Sequence, residues 1–222
     1  MDLGSLVFIQ KKIAERVKIK RLIRKNINNI GFCDVSYPKN QKKLNAVIAI
    51  YNRYTWKIVE KIAVKEKISF PYISGFLSFR EAPAIVKAFK RLKIKPDLLV
   101  LDGQGLAHPR GCGIATHIGV MLNIPTIGIA KSHLAGSIVP APLSITKKQR
   151  VQRTEIYGLK IRNKQVGWVI YTPSSKHPVY LSIGYLISLF DLLWLWEMMP
   201  RKYRLPEPVR ETHIYSKAED RR

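Results

Sequence analysis

The sequence predicts a mixed α/β fold in which three antiparallel strands lead into parallel βαβ units of the same sheet, flanked by helices. Three observations carry this expectation. Residues 30–64 hold an alternating run followed by two β-branched runs, separated by short turn-like stretches. "PDLLVLD" and "IPTIGIA" are solid apolar runs, as strands buried on both faces require. Before and between those two runs, apolar residues recur at helical spacing. The order of three strands, then helix, strand, helix, strand describes an antiparallel meander feeding a parallel unit.

The elements follow in order. Residues 9–27 contain no glycine or proline, and Ile13, Val17 and Leu22 mark an apolar side, so a basic N-terminal helix is expected there. "NIGFCDVSY", "KLNAVIAIYN" and "YTWKIVEKIAV" supply the three strands. "APAIVKAFKRL" sets Ile85, Val86, Phe89 and Leu92 at helical spacing, and "GIATHIGVML" is the second helix. Further strands are expected at "QVGWVIYT" and "PVYLSI", followed by a Trp-rich helix near 185–199. Residues 140–153 read as a loop and the charged end after about residue 212 as a tail, all within one domain spanning 1–222.

Composition narrows the function classes. The chain has 222 residues, 46% of them hydrophobic, enough for one sizeable core, and a monomer is expected. Its 39 basic and 15 acidic residues give a formal charge of +24, which points first to nucleic acid and second to an acidic membrane surface. The start "MDLGSLVFIQKK" has acid before its apolar run and base after it, the reverse of a secretory signal. "YLISLFDLLWLWEMM" is interrupted by Asp191 and Glu197, so it reads as an amphipathic helix and not as a bilayer span. Cys33 and Cys112 form neither a disulfide framework nor a metal knuckle, which points to a reducing cytoplasm.

Asp102 is the sharpest chemical signal. It ends the buried run "LLVLD" and opens "GQGLAHPRGCG", at the carboxyl end of a parallel strand, where open α/β sheets place their ligand sites. Gly103 and Gly105 leave the backbone there free for close approach, and His108 and Arg110 add polar groups. Asp34 lies in the first strand among Ile30, Phe32 and Val35, where an acid is costly unless paired or bound to metal. If the first and fourth strands are neighbours, the two carboxylates meet and call for a cation. Ser78 and Glu81 spell a capping box. Pro83 argues against it and for a helix that starts two or three residues later, with Glu81 projecting from its mouth. Lys131 ends "IPTIGIAK" on the same carboxyl edge, and Tyr72 sits between Pro71 and Gly75 in "FPYISGF".

With these residues in place, four segments resemble the endonuclease V family, the repair nucleases of deaminated adenine. They are "PYISGFLSFREAPA", "PDLLVLDGQGLAHPRGCGIATHIGV", "NIPTIGIAKSHL" and "YRLPEPVRETH", and the resemblance runs from about Gly31 to His213. It implies a ribonuclease H-like fold and cleavage of the second phosphodiester bond 3′ to a hypoxanthine nucleotide. It also implies dependence on Mg²⁺, with Mn²⁺ as a substitute. Asp34, Glu81 and Asp102 correspond to the family's metal-binding carboxylates, His213 to a further member of that site, and Lys131 to its active-site lysine. Tyr72 matches the strand-separating wedge. Gly75, Leu77, Gly103 and Gly105, with His108 nearby, fall in the segments that form the inosine pocket. The chain departs from the family pattern at Tyr185, which stands where a histidine is usual, and in "PYIS", which lacks a second proline.

The resemblance implies inosine-containing DNA as the partner. The alternatives are an endoribonuclease acting on inosine in RNA and a nucleic-acid-binding protein that keeps the fold without catalysis.

Overall fold

Alternating apolar residues in the first third of the chain fold as a meander of β1 (Asn29–Ser36), β2 (Lys43–Asn52) and β3 (Ile58–Lys67) in the computed structural model. The structure describes residues 2–38, 42–142 and 154–220. β4 (Leu98–Asp102) lies parallel to β1, and β5 (Thr126–Ala130) parallel to β4, each preceded by a helix: α2 (Leu77–Arg91) and α3 (Ile114–Leu122). The sheet continues through β6 (Ser137–Pro140), β7 (Glu155–Ile161), β8 (Lys164–Tyr171) and β9 (Val179–Tyr185) in the order β3-β2-β1-β4-β5-β9-β8-β7-β6. α1 (Leu3–Glu15) precedes it, and α4 (Leu189–Met198) and α5 (Glu207–Glu219) close the chain.

The two-residue period of each strand divides the core between the faces. Phe32, Val100 and Ile129 point toward Trp196 of α4 and Val209 of α5. Cys33, Leu99 and Leu101 point toward Ala84, Ile85 and Ala88 of α2 and Ile118 of α3. No helix among the described residues is long and apolar enough to cross a membrane.

The expected meander, parallel unit and Trp-rich helix are all present. Three local expectations are corrected. The N-terminal helix covers Leu3–Glu15 and not residues 9–27. It starts early because the Asp2 carboxylate accepts the Gly4 N–H at 2.6 Å and the Ser5 N–H at 3.2 Å, as an N-cap does. It stops because residues 16–25 carry six cations and no carboxylate to pair with them along a helix. That segment is drawn into tertiary bonds instead, with the Lys18 carbonyl accepting the Leu186 N–H at 2.8 Å.

α2 begins at Leu77, before Ser78, so Pro83 lies inside it. A proline there costs about 3 kcal/mol and leaves the Phe79 carbonyl without its helical partner. Burial of Ala82, Ala84, Ile85 and Ala88, with Phe79 packed edge-on against His117, offsets that cost. Glu81 therefore sits in the second turn, and Ser78 is no cap. The expected tail after residue 212 is instead the second half of α5, which packs on β1 and β2. The antiparallel pair of β6 and β7 is an addition that its mixed polar sequence does not announce. Most of the expected loop at 140–153 lies outside the described residues.

Asp191 fastens the basic segment to this frame. Fully buried, it accepts the Leu22 N–H at 3.0 Å, the Ser188 hydroxyl at 2.6 Å and the Arg24 Nε–H at 3.2 Å. Asp191→Ala strands these donors and should cost about 2–4 kcal/mol in urea unfolding. A loss below about 0.5 kcal/mol would mean that water replaces the carboxylate freely.

Candidate active site

The pairing of β1 with β4 builds the site. Cys33 is in register with Leu101, so the next residue on each strand, Asp34 and Asp102, stands at the carboxyl edge side by side. Both fall on the face that α5 covers. Asp34 is 5% exposed, accepts a short hydrogen bond from the Ser216 hydroxyl and faces His213 Nδ1 at 3.2 Å. Asp102 forms a close ion pair with Lys131 from the end of β5. α5 is anchored in position to deliver His213: the Ser36 hydroxyl donates to the Ser216 carbonyl at 2.6 Å, and the Asn45 amide donates to Asp220 at 2.6 Å. One donor atom each from Asp34, Asp102 and His213 lies within 4.8 Å of the others.

Glu81 approaches from the α2 side and is 6% exposed. Its carboxyl accepts the Tyr37 hydroxyl at 2.6 Å, and the Arg80 guanidinium lies over the Tyr37 ring. It lines the same cavity as the two aspartates but lies outside the close three-residue cluster. Burial, then the Asp102 charge, pushes the Asp34 pKa up to about 6. Burial pushes Glu81 to about 8; the Tyr37 bond opposes this and the charges of Asp34 and Asp102 add to it. Crowded oxygen donors that resist ionisation suit a hard divalent cation, which would reverse both shifts.

A cavity of about 350 Å³ opens over these groups, with Tyr72, Gly75, Leu77 and Gly103 among its walls. Tyr72 is 72% exposed at its rim and buries no core surface. Gly105 does not line this cavity. A Cβ there would come within 2.1 Å of the Ile183 carbonyl oxygen, so the glycine serves close packing of the loop on β9. His108 does line it, but both ring nitrogens are engaged: Nε2–H donates to the Gly75 carbonyl at 3.0 Å and Nδ1 accepts the Arg110 N–H at 3.2 Å. Burial lowers its pKa to about 4, so the ring is neutral.

Gly75 is the pivot of this wall. Its φ of +78° favours glycine, and its carbonyl also accepts from Gln10 at 2.9 Å and Arg110 Nη2 at 2.6 Å. Gln10, Tyr37 and Ser216 are the functional neighbours that escaped the sequence reading. Only Gln10 left a trace, as a polar residue in register with Leu6 and Ile13 on the inner side of α1. Tyr185 lies at the far end of the sheet, paired with Thr126 at the start of β5 and donating to Asn123 at 3.1 Å, away from every carboxylate of the site.

The family model for endonuclease V matches residues 11–214. Endonuclease V of Dictyoglomus thermophilum is 43% identical over 211 residues, covering 95% of this chain and 88% of the relative. That of Kosmotoga olearia is 38% identical over 190 residues, covering 86% and 80%. The crystal structure of Bacillus subtilis endonuclease V superposes with a TM-score of 0.85 at 28% identity, covering 100% of this chain and 94% of that one. Ciona intestinalis endonuclease V, solved with a 24mer DNA containing an inosine followed by a ribo-adenosine, gives 0.81 at 26% identity, covering 98% and 97%.

The raised Glu81 pKa generates a prediction for the metal-free protein. The folded state keeps a proton that the unfolded chain releases, so this contribution is complete below about pH 4.5 and is lost as pH rises to about 8. Glu81→Gln should match wild type in thermal melting near pH 4.5. Near pH 8.5 it should melt higher, each kcal/mol gained being worth about 2–4 °C. A difference constant across that range would exclude proton linkage at Glu81.

Proposed function

The chain belongs to the endonuclease V family and is an endonuclease; we propose that it acts on hypoxanthine, the product of adenine deamination, and cuts the second phosphodiester bond on its 3′ side in DNA. The observation that carries this reading is the convergence of Asp34, Asp102 and His213 beneath a cavity whose rim bears Tyr72. A repair role in the cytoplasm, as a monomer, completes the proposal; two free buried cysteines support the reducing compartment.

Asp34 and Asp102, with Glu81 joining through water or directly, would hold Mg²⁺, or Mn²⁺ in its place, and His213 stands beside them. The ion supplies charge neutralisation at the phosphate and a more acidic water. Lys131, beside Asp102, balances negative charge that builds on the phosphate oxygens as the bond breaks. His213 orients the attacking water or moves its proton. The neutral His108 ring and the small Gly75 and Gly103 shape the base pocket, and Leu77 provides an apolar wall.

The second reading is cleavage of inosine in RNA. The ribo-adenosine after the inosine in the Ciona complex favours testing it. Matched DNA and RNA oligomers with a single inosine, with and without Mg²⁺, decide between the two sugars. Cleavage of neither sugar with any divalent ion would refute the assignment.

Asp102→Asn should abolish nicking while leaving inosine-DNA binding within roughly tenfold, because a metal charge is lost and no phosphate contact is. More than a few percent residual activity in saturating Mg²⁺ would remove Asp102 from the metal site. Replacing Mg²⁺ with Ca²⁺ in the wild type should keep binding and suppress cleavage, since the larger ion coordinates less strictly.

A base leaves the duplex stack at a cost of about a few kcal/mol, and an inserted ring fills the gap. Tyr72→Ala should therefore cut binding and turnover of inosine duplex by about tenfold, with less effect on single strands and little on thermal stability. Equal losses on duplex and single strand would refute the wedge.

A further inference from the structure

Residues 16–25 form the strongest basic feature of the sequence, and the cleavage site makes no use of them. They run at the opposite edge of the sheet. Arg24 precedes β1, and the Arg53 N–H donates to the Asn28 carbonyl at 2.8 Å just before it. Five strand steps, roughly 17 Å, then separate Asn29 from Asp34.

Here cations and rings alternate along a ribbon whose middle, Arg24, Arg53 and Trp194, is half-buried and whose flanks, Arg21 with Phe190 and Tyr54, are exposed. Arg21 lies over the Phe190 ring at 5.8 Å, Arg24 and Arg53 over Trp194 at 5.0 and 5.7 Å, and Arg53 also over Tyr54 at 4.4 Å. Tyr54 is 66% exposed and Phe190 61%, high values for rings with no core role. Lys18, Lys20, Arg21 and Lys25 are exposed and have no carboxylate within 4 Å among the described residues. Asp191, the acid bound into this ribbon, is fully buried and already bonded to the chain. Between Glu15 and Asp34 the sequence contains no acid at all.

We propose that this ribbon is a second nucleic-acid site that holds single-stranded DNA or RNA outside the cleavage cavity, with bases stacked on Tyr54 and Phe190 and phosphates on the residue 18–25 cations. Charge selects a polyanion; exposed rings between the charges select one that carries flat bases. A duplex hides its base faces and could use only the cations. The site would grip unpaired strand without reading its sequence, because every base has a face to stack.

The test uses the full chain in Ca²⁺ with the cleavage site filled by a short inosine duplex. Fluorescence anisotropy then measures binding of a labelled oligothymidylate of about 20 nucleotides and of an abasic oligomer of equal length. Tyr54→Ala/Phe190→Ala should weaken oligothymidylate binding about tenfold or more and leave the abasic oligomer unchanged. Lys20→Ala/Arg21→Ala should weaken both and reduce the salt slope by about 1.4, at about 0.7 per phosphate. In both variants the melting temperature and the cleavage of a short inosine oligomer stay at wild-type values, which separates this site from the proposed reaction. Displacement of oligothymidylate by the inosine duplex would overturn the proposal, as would equal loss of both oligomers in the ring variant. An effect of the charge variant alone would reduce the ribbon to general basic surface.

Discussion

Two carboxylates held against each other on adjacent parallel strands, Asp102 at the end of β4 and Asp34 two residues short of the end of β1, are the constraint on which the remaining architecture turns. Asp34 and Asp102 repel, and burial of the first removes the water that would screen them. Left alone, such a pair would push one strand end outward or hold a proton at neutral pH. The fold meets it from three directions. Ser216 donates to Asp34, Lys131 pairs with Asp102, and Tyr37 donates to Glu81 on the far side of the cavity. One lysine against three carboxyls leaves a deficit of positive charge at a single point of a chain whose formal charge is +24. A local excess of acid inside a basic body is an electrostatic pattern that suits a cation site on a polyanion-binding surface.

The last helix serves this constraint. α5 is more than a covering element, because Ser216 and His213 both face Asp34 while Asn45 and Ser36 fix the helix from below. Its directional polar contacts with β1 and β2, Ser36 to the Ser216 carbonyl, Asn45 to Asp220 and Ser216 to Asp34, favour one position over a sliding apolar contact. Charge at the strand edge is thereby coupled to the docking of residues far away in sequence.

How much of this the sequence discloses depends on the range of the forces involved. Strand periodicity is local, so β1 to β5 and the meeting of Asp34 with Asp102 follow from alternation and topology. Pro83 misled because its cost is local whereas the burial that offsets it, Ala82 to Ala88 against the sheet, is tertiary. The basic run at 16–25 misled for the reverse reason. It lacks helix breakers, but the partner that extends it is Asp191, more than 160 residues away. The α5 helix was hidden by its polar composition, which in a surface helix resembles a tail until its Ser and Asn partners are known. Gly105 carries the same lesson on a smaller scale. Its type signals close approach, but what approaches is the Ile183 carbonyl.

The wall of the cavity extends this coupling to the N-terminus. The Gly75 carbonyl receives Gln10, His108 and Arg110, so α1, the loop after β4 and the Tyr72 loop meet at one oxygen. A side chain at position 75 would be strained by the positive φ and would also press within 2.8 Å of the Arg110 guanidinium. Tyr72 stands 72% exposed on a loop whose base is fastened at the Gly75 carbonyl. The wedge role proposed for this ring gains from a fixed base, because ordering a free loop on binding would consume the stacking energy. Three donors on one carbonyl supply that order in advance, and they tie the rim of the cavity to the same loop that carries Asp102.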